Sequence, residues 1–337
     1  MKNKEIAQLL QISPATVSLA LNNKPGVDVE TRRRVLELKE SSLQTDINEI
    51  NKAQEKGTIG LLIYKNRGDI IAETPFFTAI IEAINSDTRL SAYKLNIVYN
   101  HGNNIHKFIK EINDYGLKGL IVVATEMTLE TAQLLQQEMK IPFVLVDACF
   151  PECNVDCVLM NNRGGILKAV KYAYRAGHRK IGFLKSRQTC NNFTERFESY
   201  KSALEQLELE YNYHYVFPIS AEHEKGCAEM EAFLNNIEDM PTMLIAANDR
   251  IAMAAGVALR KAGYRLPEDI SMIGFDDMPA AQLVTPRLTS IRLNVDMIAR
   301  LTVRRLVEKI ENPQEIYTVQ QYVDVSLVKR DSVKEII

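Results

Sequence analysis

The sequence predicts an α/β protein in which an N-terminal helix-turn-helix precedes two lobes, each built on a doubly wound parallel sheet. Residues 1–40 carry apolar positions at helical spacing, whereas from Thr58 onward short apolar runs alternate with longer amphipathic stretches. Strands that alternate with helices are typical of parallel sheets joined by right-handed crossovers. Residues 41–57, between the two zones, are polar and indicate a linker.

The zone after Thr58 offers nine candidate strands and at least five candidate helices. The strands are Ile59–Tyr64, Leu95–Tyr99, Gly119–Val123, Phe143–Asp147, Val158–Met160, Lys180–Leu184, Tyr215–Ile219, Met243–Ala247 and Ile270–Phe275. The helices are Phe76–Asn85, Leu129–Met139, Gly165–Ala176, Glu195–Leu207 and Ile251–Ala262. Because nine strands are too many for one small sheet, we expect two sheets that face each other across a cleft. Ligands of such sheets bind beyond the carboxyl ends of the strands, which predicts a ligand site in that cleft.

Composition narrows the class of protein. The 337 residues have a hydrophobic fraction of 46% and a net charge of −2, as in globular proteins of two or three domains. There is no apolar run long enough to cross a bilayer and no secretory signal at the N-terminus, so we expect a cytoplasmic protein without a membrane partner. Residues 1–39 hold seven basic and four acidic side chains, a surplus of +3 that suits a phosphate-binding face.

The five cysteines do not indicate a disulfide framework, since their number is odd and no export signal precedes them. Cys149, Cys153 and Cys157 are evenly spaced, with Pro151 between the first two. Zinc sites usually pair their cysteines at C-x2-C spacing, which this segment lacks. We therefore expect reduced thiols around a loop, and neither a metal site nor a cofactor.

The N-terminal zone has the pattern of two short helices joined by a tight turn. Ile6, Leu9 and Leu10 are predicted to share one face of the first helix. Ser13 is a suitable N-cap and Pro14 follows at the first helical position of the second helix. A third helix is predicted at Val29–Leu38, with Asp28 as its cap.

A helix-turn-helix places its second helix in the major groove of DNA. Hydroxyls on that helix can bond phosphates or bases, and an alanine can contact a thymine methyl group. The candidate DNA-binding residues are Ser13, Pro14, Ala15, Thr16, Ser18, Leu19, Asn22 and Lys24. A helical hairpin without a DNA role is the alternative for this segment.

Several motifs, spread in order over nearly the whole chain, resemble those of the LacI/GalR family of bacterial transcription regulators. The N-terminal motifs are EIAQLLQISPATVSLALN and VDVETRRRVLEL. The later motifs are TPFFTAIIEAI (Thr74–Ile84), MNNRGGILKAVKYAYRAGHRKIGFL (Met160–Leu184), AANDRIAMAAGVALRKAGYRLPEDISMIGFDD (Ala246–Asp277) and PRLTSIRLN (Pro286–Asn294).

The resemblance implies a DNA-binding domain at residues 1–40, a hinge at 41–57 and an effector-binding and dimerisation domain at 58–337. It implies two lobes of periplasmic-binding-protein type, at 58–160 with 290–320 and at 161–289 with 321–337. The implied protein is a homodimeric repressor of a near-palindromic operator, controlled by a sugar or sugar derivative. The hinge departs from the family pattern, since Glu49 and Asn51 stand near the family's arginine and leucine positions. Only Ile47 or Ile50 could serve there as a minor-groove wedge, so DNA kinking is not expected to carry over.

Six residues match the family's effector-binding positions. They are Phe76, Phe77, Asp147, Arg196, Asn248 and Asp276. Carboxylates, an amide and a guanidinium suit sugar hydroxyls, and the two phenylalanines could stack on a sugar ring. Phe77 could instead be core, and Asp147 a strand-end turn residue. Asp249 and Asp277 are expected to cap helices.

Other functions fit less well. A purine-responsive member of the family would carry an arginine where this chain has Cys190, which weighs against a nucleobase effector. A solute-binding protein would not need residues 1–40, which weighs against that class. A regulator that has lost DNA binding is a further alternative. The sequence contains no G-x-S-x-G, P-loop or H-E-x-x-H motif, so an enzyme and catalytic residues are not expected. The C-terminal tail lacks leucine heptads, which disfavours a tail-driven tetramer.

Overall fold

A computed structural model describes residues 3–10, 12–21, 27–28, 30–35, 55–66, 75–101, 104–314 and 316–336. The chain divides into two compact units, Met1–Gly57 with Ala92–Lys94, and Thr58–Ser91 with Leu95–Ile337. Residues 41–54 of the predicted hinge, including Ile47 and Ile50, lie outside the described residues. None of the described helices is long and apolar enough to span a membrane.

The first unit contains helices α1 (Asn3–Leu10) and α2 (Pro14–Leu21) and a helical segment at 30–35, here α3. Its core is formed by Ile6, Ala7, Val17, Ala20 and Val35. Leu9, which was predicted to share a face with Ile6 and Leu10, does not join this core, because its side chain is 62% exposed. At 100° per residue the buried face of α1 is centred between Ile6 and Ala7, and Leu9 lies on the other side of the helix.

From Gly57 onward the structure describes twelve strands and eight α-helices. The strands are β1 (Gly57–Tyr64), β2 (Tyr93–Asn100), β3 (Gly119–Val123), β4 (Phe143–Val146), β5 (Asp156–Met160), β6 (Ile181–Ser186), β7 (Val216–Ile219), β8 (Met243–Ala246), β9 (Ser271–Asp276), β10 (Thr289–Arg292), β11 (Gln320–Val323) and β12 (Ser326–Val328). The helices are α4 (Pro75–Leu90), α5 (Ile105–Asp114), α6 (Leu129–Glu138), α7 (Asn162–Arg175), α8 (Asn191–Gln206), α9 (His223–Leu234), α10 (Asp249–Lys261) and α11 (Val295–Glu311).

The strands form two six-stranded sheets with equivalent orders, which confirms the predicted pair of doubly wound lobes. The first sheet has the order β11-β5-β4-β3-β1-β2 and the second has β12-β10-β9-β8-β6-β7. The pairs β1–β3, β3–β4 and β4–β5 of the first lobe run parallel, as do β6–β8, β8–β9 and β9–β10 of the second. In each sheet the order reverses beside the first strand of its lobe, and ligands bind at such switch points.

The last two crossings of the chain between the lobes lie closer to the C-terminus than the sequence predicted. Strand β10 (289–292) pairs with β9 in the second sheet, although the sequence assigned residues from 290 onward to the first lobe. Strand β11 (320–323) pairs with β5 in the first sheet, although residues from 321 onward were assigned to the second. Both strands are short and lie near a sheet edge, so their apolar pattern does not show which sheet they join.

Helix α11 is fastened to the first lobe by a buried ion-pair cluster around Asp156. Its carboxylate accepts hydrogen bonds from Arg305 Nε at 2.7 Å and from the backbone N–H of Val319 at 2.8 Å, and it also pairs with Lys309. Asp156 is fully buried and Arg305 is 3% exposed. This cluster therefore joins β5, α11 and the start of β11 across more than 140 residues of chain.

Candidate functional site

The turn of the first unit is built as the sequence predicts. Ser13 Oγ accepts a hydrogen bond from the backbone N–H of Thr16 at 3.0 Å, which caps α2. The Asp28 carboxylate accepts from the backbone N–H of Thr31 at 2.9 Å, and this bond holds the pKa of Asp28 below its usual value. Both predicted caps thus fix the first turn of a helix.

Part of the DNA-binding surface predicted for α2 is exposed in the structure. Ser13, Pro14 and Ser18 are exposed, and Thr16 and Leu19 are half-buried. The side chain of Ala15, together with Asn22 and Lys24, lies outside the described residues. Hydroxyl-bearing side chains are therefore exposed at the start and the middle of α2, where a recognition helix contacts DNA.

In the second unit, all six predicted effector-binding residues line one cavity between the two sheets. Its wall consists of Phe76, Phe77, Thr125, Asp147, Met160, Cys190, Asn192, Phe193, Arg196, Asn248 and Asp276. Asp147 follows β4 in the first lobe, whereas Asn248 and Asp276 lie at the ends of β8 and β9 in the second. The parallel arrangement brings these strand ends together, as the topology requires.

Arg196 is the central cation of this cavity and is 3% exposed. Its Nε donates to Asn162 Oδ1 at 2.8 Å and its Nη1 donates to the carbonyl oxygen of Ala247 at 2.6 Å. Its Nη2 lies 3.3 Å from Asp276 Oδ1. The guanidinium also lies 3.7 Å from the centre of the Phe275 ring, so its plane is fixed by stacking as well as by hydrogen bonds.

Two buried carboxyl groups flank the guanidinium. Burial raises the pKa of Asp147 to about 6 and that of Asp276 to about 6. Asp147 accepts hydrogen bonds from the Thr125 hydroxyl and from Asn192 Nδ2, the latter at 2.9 Å. Both aspartates have positive φ, 73° and 102°, a strained conformation that turns each side chain away from the direction of its strand. Asp147 is therefore a strand-end turn residue and a cavity residue at once.

The helix cap of α10 differs from the expected one. Asn248 is the cap, since its Oδ1 accepts from the backbone N–H of Ile251 at 3.0 Å. Asp249 does not cap the helix and instead accepts from Ser290 Oγ at 2.6 Å and from the backbone N–H of Met278 at 2.7 Å. Burial raises its pKa to about 8. Gly274 allows this approach, because a Cβ there would lie 2.0 Å from Asp249 Oδ1.

Asp277 is also not the cap that the sequence predicts. Its carboxylate pairs with Arg292 at 2.6 Å and with Arg330 at 2.5 Å. It therefore ties the end of β9 to β10 and to the segment after β12. Its neighbour Asp276 faces the cavity instead, as expected for adjacent residues at a strand end.

The aromatic wall comes from α4 and α8. Phe76 and Phe77 are 8% and 4% exposed, with ring centroids 5.3 Å apart in an edge-to-face arrangement. Both are thus packed as core residues while lining the cavity. Phe193, one turn before Arg196 on α8, completes this wall.

Sequence reasoning missed several residues of the cavity. Asn192 could have been found because it precedes Arg196 by one helical turn, which places the two on one face of α8. Thr125 could have been found because it lies two residues after the end of β3, at the same edge of the sheet as Asp147. Cys190 also lies in the wall, and burial raises the pKa of its thiol to about 12, so this position carries no charge.

A second cavity adjoins the first and shares Thr125 and Cys190 with it. It is lined by Asn66, Thr125, Glu126, Met127, Thr128, Gln188, Thr189, Cys190, Asn191 and Thr194. Its volume is about 300 Å³, against about 30 Å³ for the cavity around Arg196. We call the space around Arg196 the inner compartment and the larger space the outer compartment.

The three evenly spaced cysteines contribute to the first lobe. Cys153 and Cys157 are buried in its core, and Cys149 packs against that core. Within the described part of the chain, His, Cys, Asp and Glu form no group of three or more that could hold a metal ion.

Comparison with known proteins matches both units. "Bacterial regulatory proteins, lacI family" matches residues 3–41, and "Periplasmic binding protein-like domain" matches residues 170–333. The chain is 27% identical to the ribose operon repressor of Haemophilus influenzae, with 93% of each protein covered. It is 29% identical to the HTH-type transcriptional repressor PurR of the same species, with 99% of each covered. A solved complex of the transcriptional regulator CelR with cellobiose has the same fold, with a TM-score of 0.73 at 23% identity over 98% of this chain and 99% of that one.

Proposed function

Because this chain belongs to the LacI family of bacterial regulatory proteins, we propose that it is a transcriptional repressor whose affinity for operator DNA is controlled by a sugar bound between its lobes. The observation that carries the sugar assignment is the inner compartment, where a guanidinium, two carboxyl groups and an amide meet an aromatic wall. Sugar hydroxyls pair with such groups, and the apolar face of a sugar ring packs on such a wall.

The effector residues come from both lobes, which gives a mechanism for control. A ligand that bonds Asp147 of the first lobe and Arg196 and Asp276 of the second favours the arrangement in which these groups converge. The difference between its affinities for the two lobe arrangements supplies the coupling free energy. The linker at residues 41–57 then carries the change to the DNA-binding unit.

The proposed assembly is a homodimer in the bacterial cytoplasm. Its two helix-turn-helix units bind the two halves of a near-palindromic operator. The proposed DNA contacts are Ser13, Pro14, Ala15, Thr16, Ser18, Leu19, Asn22 and Lys24. The relatives named above are regulators, one of them a ribose operon repressor and another found in complex with cellobiose. They support a regulatory role and a sugar as effector.

DNA binding is tested by a gel shift with the region upstream of the protein's own gene. We expect a specific complex whose affinity falls steeply with salt, as phosphate contacts require, and changes on addition of the effector. Ser18→Glu should weaken this complex at least about 10-fold, because the new carboxylate on α2 would face phosphates. Ser202→Glu, on the exposed surface of α8, is the control and should leave it unchanged. A wild-type chain that shifts no DNA at low salt, with or without sugars, contradicts the repressor.

A nucleobase effector is the second candidate, favoured by the similarity to PurR along 99% of both chains. The uncharged thiol of Cys190 in the cavity wall weighs against it, since the family's purine-responsive members are expected to carry an arginine there. Thermal-shift measurements with nucleobases beside neutral sugars decide between them, because a ligand of the folded state raises the melting temperature. If only nucleobases raise the melting temperature, the effector is a nucleobase and the sugar assignment is wrong.

The inner carboxyl groups predict pH effects of opposite sign on stability and on binding. The pKa values of Asp147 and Asp276 are raised from 3.8 to about 6, so both groups favour the folded state below pH 4 and this contribution is lost as the pH rises through 6. Between pH 4 and pH 6 each group changes the free energy of unfolding by on the order of 2–3 kcal/mol. Sugar hydroxyls that donate to these carboxylates lower their pKa, so effector affinity should rise between pH 5 and 7.

The measurement is the melting temperature from pH 5 to 7, with and without effector. The free protein should become less stable with rising pH, while the increment due to the effector grows. Asp276→Asn removes one titrating group and should reduce both slopes. A binding affinity that does not change from pH 5 to 7 would show that the effector does not bond these carboxylates.

A further inference from the structure

We propose that Cys149 and Cys157 form a reversible thiol–disulfide pair, oxidised by hydroperoxides, that controls the contact between the two lobes at the start of α8. Both thiols belong to the evenly spaced cysteines that the proposed function leaves without a role. Their oxidation requires neither DNA nor an effector, so this modification site is independent of the proposed function.

The chain reverses after β4, and this reversal brings the two thiols together. Asp147 directly follows β4 with a φ of 73°, and its backbone N–H donates to the carbonyl oxygen of Val158 at 3.1 Å. Because β4 and β5 run parallel, the loop after Asp147 must return along the sheet to reach β5, where Cys157 lies opposite Leu145. On this return the Cys149 side chain packs against the core of the first lobe, and its thiol is in hydrogen-bonding contact with the Cys157 thiol.

The environments of the two thiols suit an attacking and a resolving cysteine. Cys149 is half-buried, whereas Cys157 is 1% exposed. The hydrogen bond from Cys157 holds the pKa of Cys149 below its usual value, against the opposing effects of burial and of the Glu195 and Glu152 carboxylates. The same contact, together with burial, raises the pKa of Cys157. The thiolate is the form that attacks an oxidant, so the reactive sulfur is the accessible one.

Oxidation by hydrogen peroxide proceeds in two balanced steps. The Cys149 thiolate attacks a peroxide oxygen, so that an S–O bond forms, the O–O bond breaks and hydroxide leaves, taking up the thiol proton as water. The Cys157 sulfur then attacks the sulfenic acid, which forms the S–S bond, breaks the S–O bond and releases a second water with the Cys157 proton. Two thiols thus lose two electrons and two protons, and the peroxide becomes two waters. A dithiol reductant reverses the change by thiol–disulfide exchange.

The loop that carries Cys149 is bonded to the second lobe at two neighbouring points. The carbonyl oxygen of Cys149 accepts from Asn191 Nδ2 at 3.1 Å. Asn192 Nδ2 donates to the carbonyl oxygen of Asp147 at 3.1 Å and to its carboxylate at 2.9 Å. A disulfide brings two sulfur atoms to about 2 Å, closer than a hydrogen-bonding contact, so oxidation moves Cys149 toward β5 and loosens its bond to Asn191. Since Asp147 and Asn192 line the inner compartment, the redox state of the pair reaches the ligand cavity.

Peptide mapping of the full-length chain after treatment with hydrogen peroxide tests the chemical step. The number of free thiols should fall by two from five, and dithiothreitol should restore it. Cleavage after Glu152 and before Asp156 places each of the three neighbouring cysteines on its own fragment, so mass spectrometry can identify the linked pair. We expect the fragments of Cys149 and Cys157 to be joined. A disulfide that involves Cys153 instead, sulfinic acid at Cys149 without a disulfide, or five unreacted thiols would each overturn the pair.

Variants assign the reactivity to its residues. Cys149→Ser replaces a half-buried thiol with a hydroxyl that can keep a hydrogen bond, so the chain should fold and lose thiols to peroxide at least about 10-fold more slowly. Cys153→Ser, on the same loop, is the matched control and should still form the disulfide. Cys227→Ser, a buried cysteine of α9 whose thiol donates to the Ala254 carbonyl at 3.2 Å, should react as the wild type does. Loss of the disulfide in both controls but not in Cys149→Ser would mean that other thiols react.

Hydrogen–deuterium exchange measures the coupling to the lobe junction. In the oxidised wild type the amides of the first turn of α8 should exchange at least about 5-fold faster than in the reduced chain, because local opening follows the loss of nearby bonds. Cys149→Ser treated with peroxide should show no such change, and the far end of α8 should be the same in all samples. Equal exchange at the start of α8 in the oxidised and reduced wild type would show that the disulfide does not act on the junction.

Discussion

Replacing Arg196 with methionine is expected to weaken effector binding at least about 100-fold. The guanidinium is 3% exposed and bonds Asn162, the Ala247 carbonyl and Asp276. Methionine keeps an unbranched apolar side chain against Phe275 but removes the charge, which leaves the buried carboxyl groups of the cavity without their cation. Truncating one partner of a buried charge pair at a binding site typically costs about 2–5 kcal/mol, and 2.7 kcal/mol corresponds to about 100-fold.

Titration calorimetry with the tightest-binding sugar measures this effect, and two further variants define it. Arg196→Lys keeps the charge but loses the planar fork, so its affinity should lie between those of the wild type and Arg196→Met. Arg179→Met removes an exposed arginine that lies 4.0 Å from the Tyr174 ring and outside both compartments, and should bind normally. Full effector response in Arg196→Met would show that the ligand binds elsewhere.

Most of the fold could be predicted because its central strands are apolar throughout. Each of the nine predicted strands overlaps an observed one, and β3 (119–123) has the predicted bounds. Strands β10, β11 and β12 were not predicted, since they have only three or four residues each and β11 and β12 carry exposed positions. Such strands are specified by their pairing in the sheet more than by their own pattern.

The sequence predicts those residues of the candidate site that lie at the ends of strands. Asp147 and Asp276 come directly after apolar strands whose carboxyl ends converge, so their place in the cavity follows from the topology. Asp249 was misread because its partners, Ser290 and Met278, lie 41 and 29 residues away and no local pattern indicates them. The outer compartment was not foreseen, because its lining comes from loops of both lobes with no common motif.

The second large effect concerns stability. Asp156→Ala is expected to destabilise the protein by about 3–5 kcal/mol, because it removes the buried carboxylate that Arg305 and Lys309 share and the acceptor for the Val319 N–H. Among the described side chains, Arg305 then keeps only the more exposed carboxylate of Glu308 as a counter-ion. Asp156→Asn keeps an acceptor for these donors but turns an amide toward Lys309. It should therefore lower the free energy of unfolding by less than Asp156→Ala does. Urea unfolding followed by circular dichroism gives both free energies of unfolding.

An exposed ion pair of the second lobe provides the control for this argument. Lys261 and Glu231 lie 2.9 Å apart with side chains 63% and 42% exposed, and such pairs contribute about 0–1 kcal/mol. Glu231→Ala should therefore cost much less than Asp156→Ala, although both remove one carboxylate from an ion pair. Equal losses would mean that burial does not govern the Asp156 cluster, and that β5, α11 and β11 are held together by apolar packing instead.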